Sequence, residues 1–72
     1  MSGDMLEVEG KITRCERGDF YRVAVDMGGV REVMCKRSGR LNQHHIRLTS
    51  GDRVRVEVSP YDMTRGRIVF RL

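Results

Sequence analysis

At 72 residues the chain has room for one domain, and a fold of that size buries only roughly 60% of the surface its unfolded chain exposes. Its 39% hydrophobic content excludes the apolar depletion that marks disorder. No apolar run nears the roughly 20 residues that span a bilayer, which leaves no role inside a membrane. Charge is unevenly placed: residues 1–30 carry four basic against six acidic groups, and residues 31–72 carry ten basic against four acidic. Twelve of the fourteen basic residues are arginine, whose planar fork suits phosphate oxygens and stacks on bases. That bias points towards nucleic acid, against the plainer reading of a solvated basic surface.

In chain order, Leu6, Val8 and Ile12 alternate with Glu7, Glu9 and Lys11, the period-two pattern of a half-buried strand. Gly10 lies inside this strand, where a missing side chain lets it bend around a barrel corner. Tyr21, Val23 and Val25 alternate with Phe20, Arg22, Ala24 and Asp26 in a second strand. Gly28 and Gly29 supply positive-φ residues for a hairpin into a third strand, Val30 to Cys35, whose broken alternation suggests a bulge. From Gly39 to Leu48 the period changes, with Leu41, His45 and Leu48 at helical spacing, so a short helix or turn fits there. Thr49 to Asp52 read as a turn into a fourth strand in which Val54, Val56 and Val58 alternate with Arg53, Arg55 and Glu57. Pro60 to Gly66 are expected to form a loop, and Ile68, Phe70 and Leu72 to be the inward side of a fifth strand against Arg67 and Arg71. The expected fold is all-β: a five-stranded OB-type Greek-key barrel with a short helix between strands three and four, spanning residues 1–72. A small SH3-like barrel is the main competitor.

Strand polarity places Phe20 on the face of Arg22, opposite Tyr21, Val23 and Val25. An outward aromatic beside an arginine is a stacking platform for a base. A slip of one residue would exchange Phe20 with Tyr21, putting Phe20 at one end of the core. A second group comprises Arg40, Arg47, Arg65, Arg67 and Arg71, with Lys36 and Arg37 at the end of strand three. If these converge they form a groove for a phosphate backbone, and five phosphate contacts imply a log affinity against log salt slope of about −4. Any one arginine is ordinary surface charge; only the clustering carries weight.

Cys15, Cys35, His44 and His45 lack the paired spacing of zinc sites, and two cysteines are too few for a disulfide framework, so free thiols are expected. The histidines have no acidic partner or nucleophile motif nearby, so no catalysis and no cofactor are expected; His44 is assigned instead to RNA. Residues Met1 to Met5 show no signal pattern, and a cytoplasmic chain is expected.

The run from Gly51 to Arg71, with Pro60-Tyr61-Asp62 and Arg65-Gly66-Arg67-Ile68-Val69-Phe70-Arg71 within it, resembles the carboxyl-terminal part of the bacterial translation initiation factor 1 family. Leu6 to Gly10, Tyr21-Arg22-Val23, Ser38-Gly39-Arg40 and Ile46-Arg47 follow in family order, so the resemblance covers nearly the whole chain. It implies an OB-fold protein that binds the small ribosomal subunit at the aminoacyl site, touching ribosomal RNA and a neighbouring ribosomal protein. It also implies work with the other initiation factors in selecting initiator tRNA, as a monomer and without a cofactor. The RNA-contacting positions it implies are Tyr21, Arg22, Arg40, Arg47, Tyr61, Arg65 and Arg67. Arg40-Leu41-Asn42-Gln43 stands where the family reads basic-Met-Arg-Lys, two positive charges fewer. Cys35-Lys36-Arg37 replaces a small residue, a histidine and an aliphatic one. The hypothesis is that Lys36 and Arg37 restore the lost charge. The alternative is a general single-stranded RNA binder or RNA chaperone of the cold-shock kind, which four aromatic residues serve poorly.

Overall fold

The computed structural model describes residues 5–43 and 45–72, excepting the side chains at positions 40 and 42. Five strands form one closed barrel: β1 (Leu6–Cys15), β2 (Phe20–Asp26), β3 (Val30–Arg37), β4 (Arg53–Ser59) and β5 (Asp62–Arg71). The spatial order is β1-β2-β3-β5-β4, with β4 pairing back onto β1. All ladders are antiparallel except β3 with β5, which run parallel. One helical turn, α1 (Gly39–Gln43), follows β3.

The alternating valines explain the barrel. Val23 and Val25 of β2, Val33 and Cys35 of β3, Val54, Val56 and Val58 of β4 and Ile68 of β5 are all buried. Each buried valine or isoleucine contributes up to roughly 1.5–3 kcal/mol, an upper bound set by the extended-chain reference. Leu41 of α1 and Leu48 beyond it are also buried in this core. Of the three residues at helical spacing, Leu41 and Leu48 are buried but His45 is exposed, and the helix stops at Gln43. His45 takes a left-handed φ of 54° and residues 46–49 have no regular structure.

β1 belongs to two ladders of the barrel. Leu6 to Lys11 pair with β4 and Gly10 to Cys15 pair with β2. The strand bends where Gly10 belongs to both ladders. A Cβ there would stand 2.6 Å from Val23 Cγ1 and 2.7 Å from the carbonyl oxygen of Ala24, so the close approach requires glycine. Leu6, at the start of the strand, stays exposed despite its inward alternation.

The hairpin between β2 and β3 turns on Gly28 and Gly29, with φ of 72° and 137°, and Asp26 Oδ1 accepts a hydrogen bond from the Gly29 amide. At the other loop, Asp52 Oδ2 accepts from the amide and hydroxyl of Thr49, fixing the turn into β4.

The last strand departs from the sequence reading in two ways. It begins at Asp62, so the connection from β4 is a tight turn around Pro60 and Tyr61 rather than a loop to Gly66. It also carries a bulge: Arg55 pairs with Phe70 while the next residue, Val56, pairs with Ile68, leaving Val69 as the extra residue. The inserted residue reverses the alternation, so Phe70 and Leu72 are about half exposed instead of lying in the core with Ile68.

Candidate nucleic-acid interface

On the outer surface, cross-strand pairing sets side chains in rows. Phe20 pairs with Lys36, which pairs with Arg67. One row across, Arg14 pairs with Arg22, Arg22 with Met34 and Met34 with Arg65. The face of β2, β3 and β5 thus combines a half-exposed aromatic ring, a half-buried methionine and four cations, with Arg14 of β1 at its border. Phe20 is 45% exposed and Tyr21 is 9% exposed, so the register with Phe20 outward is the one adopted. Phe20, Met34, Arg17 and Arg22, with Glu16, line one open groove. Lys36, Arg65 and Arg67 line another with Asp62 and Ser59.

Within this face the cations differ. Arg22 Nε lies 2.7 Å from Glu16 Oε2, and its Nη1 lies 3.6 Å from Glu32. Arg67 is bridged to Glu57 at 3.1 Å. Lys36 and Arg65 are exposed and have no ion pair among the described residues. Asp62 instead takes the hydroxyl and amide of Thr64; these two hydrogen bonds, the hydroxyl's foremost, hold its carboxyl below the usual carboxylate range. On the opposite side of the barrel, Arg53 and Arg55 meet Glu7 and Glu9 at 3.6–4.0 Å. The acidic residues of β1 thereby cancel the basic ones of β4. Exposed pairs of this kind add little stability, but they confine uncompensated positive charge elsewhere.

The remaining predicted residues do not all join this face. Tyr61 is 88% exposed at the turn before Asp62, next to the Lys36 and Arg65 groove. Arg47 is exposed after α1, and its carbonyl accepts a hydrogen bond from Arg71 Nη1. Arg71 is six positions beyond Arg65 on one strand, about 20 Å away, so the arginines form two groups rather than one groove. Arg40 is in α1 and its side chain falls outside the described residues, as does His44 altogether. Tyr21 lies in the core, its ring covered and its hydroxyl accepting from Arg37 Nη1 at 3.5 Å. Arg37 does not stand beside Lys36 as a second free charge. Its Nη2 donates to the carbonyls of Leu41 and Ile46, so its donors face inward. Of the two residues expected to restore surface charge, Lys36 is exposed, whereas Arg37 is turned towards backbone carbonyls.

Sequence reasoning passed over Arg14, Arg17 and Met34. The outward parity of Met34 was readable from Val33 and Cys35. The placement of Arg14 depends on its pairing with Arg22 and that of Arg17 on the turn between β1 and β2, neither of which a local pattern reveals.

Both cysteines are free thiols: Cys15 is exposed, and burial pushes the Cys35 thiol up to about 12. No group of three or more metal-binding side chains occurs among the described residues, and none of the described helices is long and apolar enough to cross a membrane.

A five-stranded barrel in this strand order, closed by a parallel β3–β5 pair and bearing a cationic face with an outward aromatic, is an oligonucleotide-binding (OB) barrel. No protein-family model matches the chain. Among solved structures, translation initiation factor 1 from the Wolbachia endosymbiont strain TRS of Brugia malayi is 40% identical. The match covers 99% of this chain and 82% of that one, with a TM-score of 0.79. The chain belongs to the translation initiation factor 1 family. Two further structures share the fold: YjeQ from Thermotoga maritima (22% identity, TM-score 0.72) and YloQ, a circularly permuted GTPase (20% identity, TM-score 0.77). Each is covered over 23% of its length by 93% of this chain.

Proposed function

We propose that the protein is a translation initiation factor that binds the small ribosomal subunit at the aminoacyl site and helps select initiator tRNA together with the other initiation factors. The observation that carries this reading is the 40% identity to an initiation factor across 99% of the chain. The barrel's charge distribution supports it. Lys36 and Arg65 offer unpaired charge to phosphates, Arg22 and Arg67 lie in adjacent rows, and the groove of Phe20 and Met34 accepts the face of an unstacked base. Tyr61, exposed at the turn before β5, and Arg47, exposed after α1, are further candidates for contact. Ribosomal RNA is the main partner, with a neighbouring ribosomal protein beside it. The protein acts as a monomer in the cytoplasm and carries out no bond chemistry.

Co-sedimentation with small ribosomal subunits, against an equal mass of unstructured RNA, tests the proposal. Retention on the subunits that survives competition by unstructured RNA is expected. Equal partition between the two would favour a general single-strand binder, and no salt-sensitive retention on either would remove RNA as the partner.

A further inference from the structure

Arg37 closes β3, and its guanidinium is the one basic group of the described site residues that turns under the following segment rather than out to solvent. Nη1 donates to the Tyr21 hydroxyl, and Nη2 donates to the carbonyls of both Leu41 and Ile46. Those carbonyls stand on either side of residues 42–45, and the Ile46 amide donates back to the Leu41 carbonyl at 3.0 Å. The guanidinium therefore bridges Leu41, within α1, and Ile46, beyond it. Its cation has no carboxylate partner among the described residues, and Nε is buried without an acceptor. The positive charge is met by two backbone oxygens, the Leu41 carbonyl in the last turn of α1 and the Ile46 carbonyl beyond the helix. At the entry to the same segment the Ser38 hydroxyl accepts from the Leu41 amide at 3.4 Å, and the Ser38 amide donates to the Ile68 carbonyl. Each fixture acts on the stretch that carries Arg40 at one end and Arg47 at the other.

We propose that Arg37 is a positioning residue for RNA binding: it clips Ile46 to Leu41 of α1, so that Arg47, next in the chain, is presented in advance of contact rather than ordered by it. The benefit rests on the proposed RNA-binding function, and arises because a surface already ordered loses less freedom on association. Arg37 thus serves binding without touching the ligand. Its charge, absorbed by backbone carbonyls, does not count among those that release counterions when phosphates are neutralised.

The test compares wild type with Arg37→Met, which keeps the hydrocarbon stem and removes every donor, Arg37→Lys, which keeps the charge and part of the donor set, and Tyr21→Phe, which removes one hydrogen bond. For each, amide exchange at Ile46, thermal unfolding and affinity for small ribosomal subunits at several salt concentrations are measured. Arg37→Met is expected to speed Ile46 exchange at least about tenfold while β2 and β4 amides stay protected. It is also expected to weaken subunit binding by about tenfold with the salt slope unchanged. Arg37→Lys should recover part of both effects, and Tyr21→Phe should show a smaller loss of the same kind; these two variants decide the matter if Arg37→Met does not fold. Lost affinity with a shallower salt slope and intact Ile46 protection would make Arg37 a phosphate contact and overturn the proposal. Unchanged affinity in a folded variant would also overturn it, whether or not exchange quickens. If wild type itself does not bind subunits, the functional reading fails, and with it the positioning role; Ile46 exchange then reports on the clip alone.

Discussion

Glu16 Oε2 lies 2.7 Å from Arg22 Nε, so an arginine at the middle of the cationic face is already engaged by a carboxylate from the turn before β2. The pair makes Arg22 a held charge. Glu16→Gln should loosen it, leaving Glu32 at 3.6 Å as its remaining carboxylate partner, and should steepen the salt dependence of RNA binding by up to about 0.7–0.9 in log–log slope and tighten binding at low salt. Titrations over a salt series measure this. A weaker complex with unchanged slope would mean that Glu16 aims Arg22 at RNA instead of restraining it.

Among the described residues, Phe20 is the aromatic ring on the β2, β3 and β5 rows, with Met34 beside it in the same groove. Removing the ring with Phe20→Ala should lower RNA affinity by about 5- to 150-fold, the range expected for one stacked base. Phe20→Trp should retain most of the affinity, and neither change should alter the salt slope. Equal affinity for wild type and Phe20→Ala, measured by filter binding or fluorescence anisotropy, would leave the platform without a base.

Gly10 marks where β1 passes from one ladder to the other. Gly10→Ala would set a methyl group against Val23, Ala24 and Val25 at 2.6–2.7 Å. A loss of about 1–3 kcal/mol is expected, read by chemical denaturation. An unchanged midpoint would show that β1 can shift outward at its bend without penalty.

Cys15 is exposed whereas Cys35 is buried. A thiol reagent at mildly alkaline pH should therefore modify one cysteine in the native protein and two in denaturant. The raised pKa of Cys35 has a consequence for stability as well. Between 9.0, the ordinary thiol value, and about 12, the folded state holds a proton that the unfolded state releases. Stability is therefore unaffected by this group below pH 9.0 and falls as pH rises through that window. Cys35→Ala should flatten this alkaline decline, and an identical alkaline curve would assign the decline to other groups.

The parts of the fold written locally are those that the alternation of side chains controls. The strand from Phe20 to Asp26 and the strand of Val54, Val56 and Val58 stand where the sequence places them, because a single slip would turn three valines into solvent. Phe70 shows where local reading ends. Its exposure depends on Val69 being accommodated as an extra residue against Arg55 and Val56, a property of the pairing and not of either strand. The candidate site divides in the same way. Phe20, Arg22, Lys36 and Arg67 follow from parity, whereas Arg65, expected in a loop, takes its place through the parallel pairing with Met34. The pairing of Arg22 with Glu16 and the inward turn of Arg37 do not follow from parity either, since both depend on partners supplied by loops.

The parallel ladder that joins Met34 to Arg65 and Lys36 to Arg67 unites segments from the middle and the end of the chain. A polypeptide still lacking β5 carries Phe20 and Lys36 but has no Arg65 or Arg67 to complete their rows. The two rows therefore exist whole only in a molecule in which β5 has paired with β3, so any ligand that needs both rows reports on the closed barrel rather than on β2 and β3 alone.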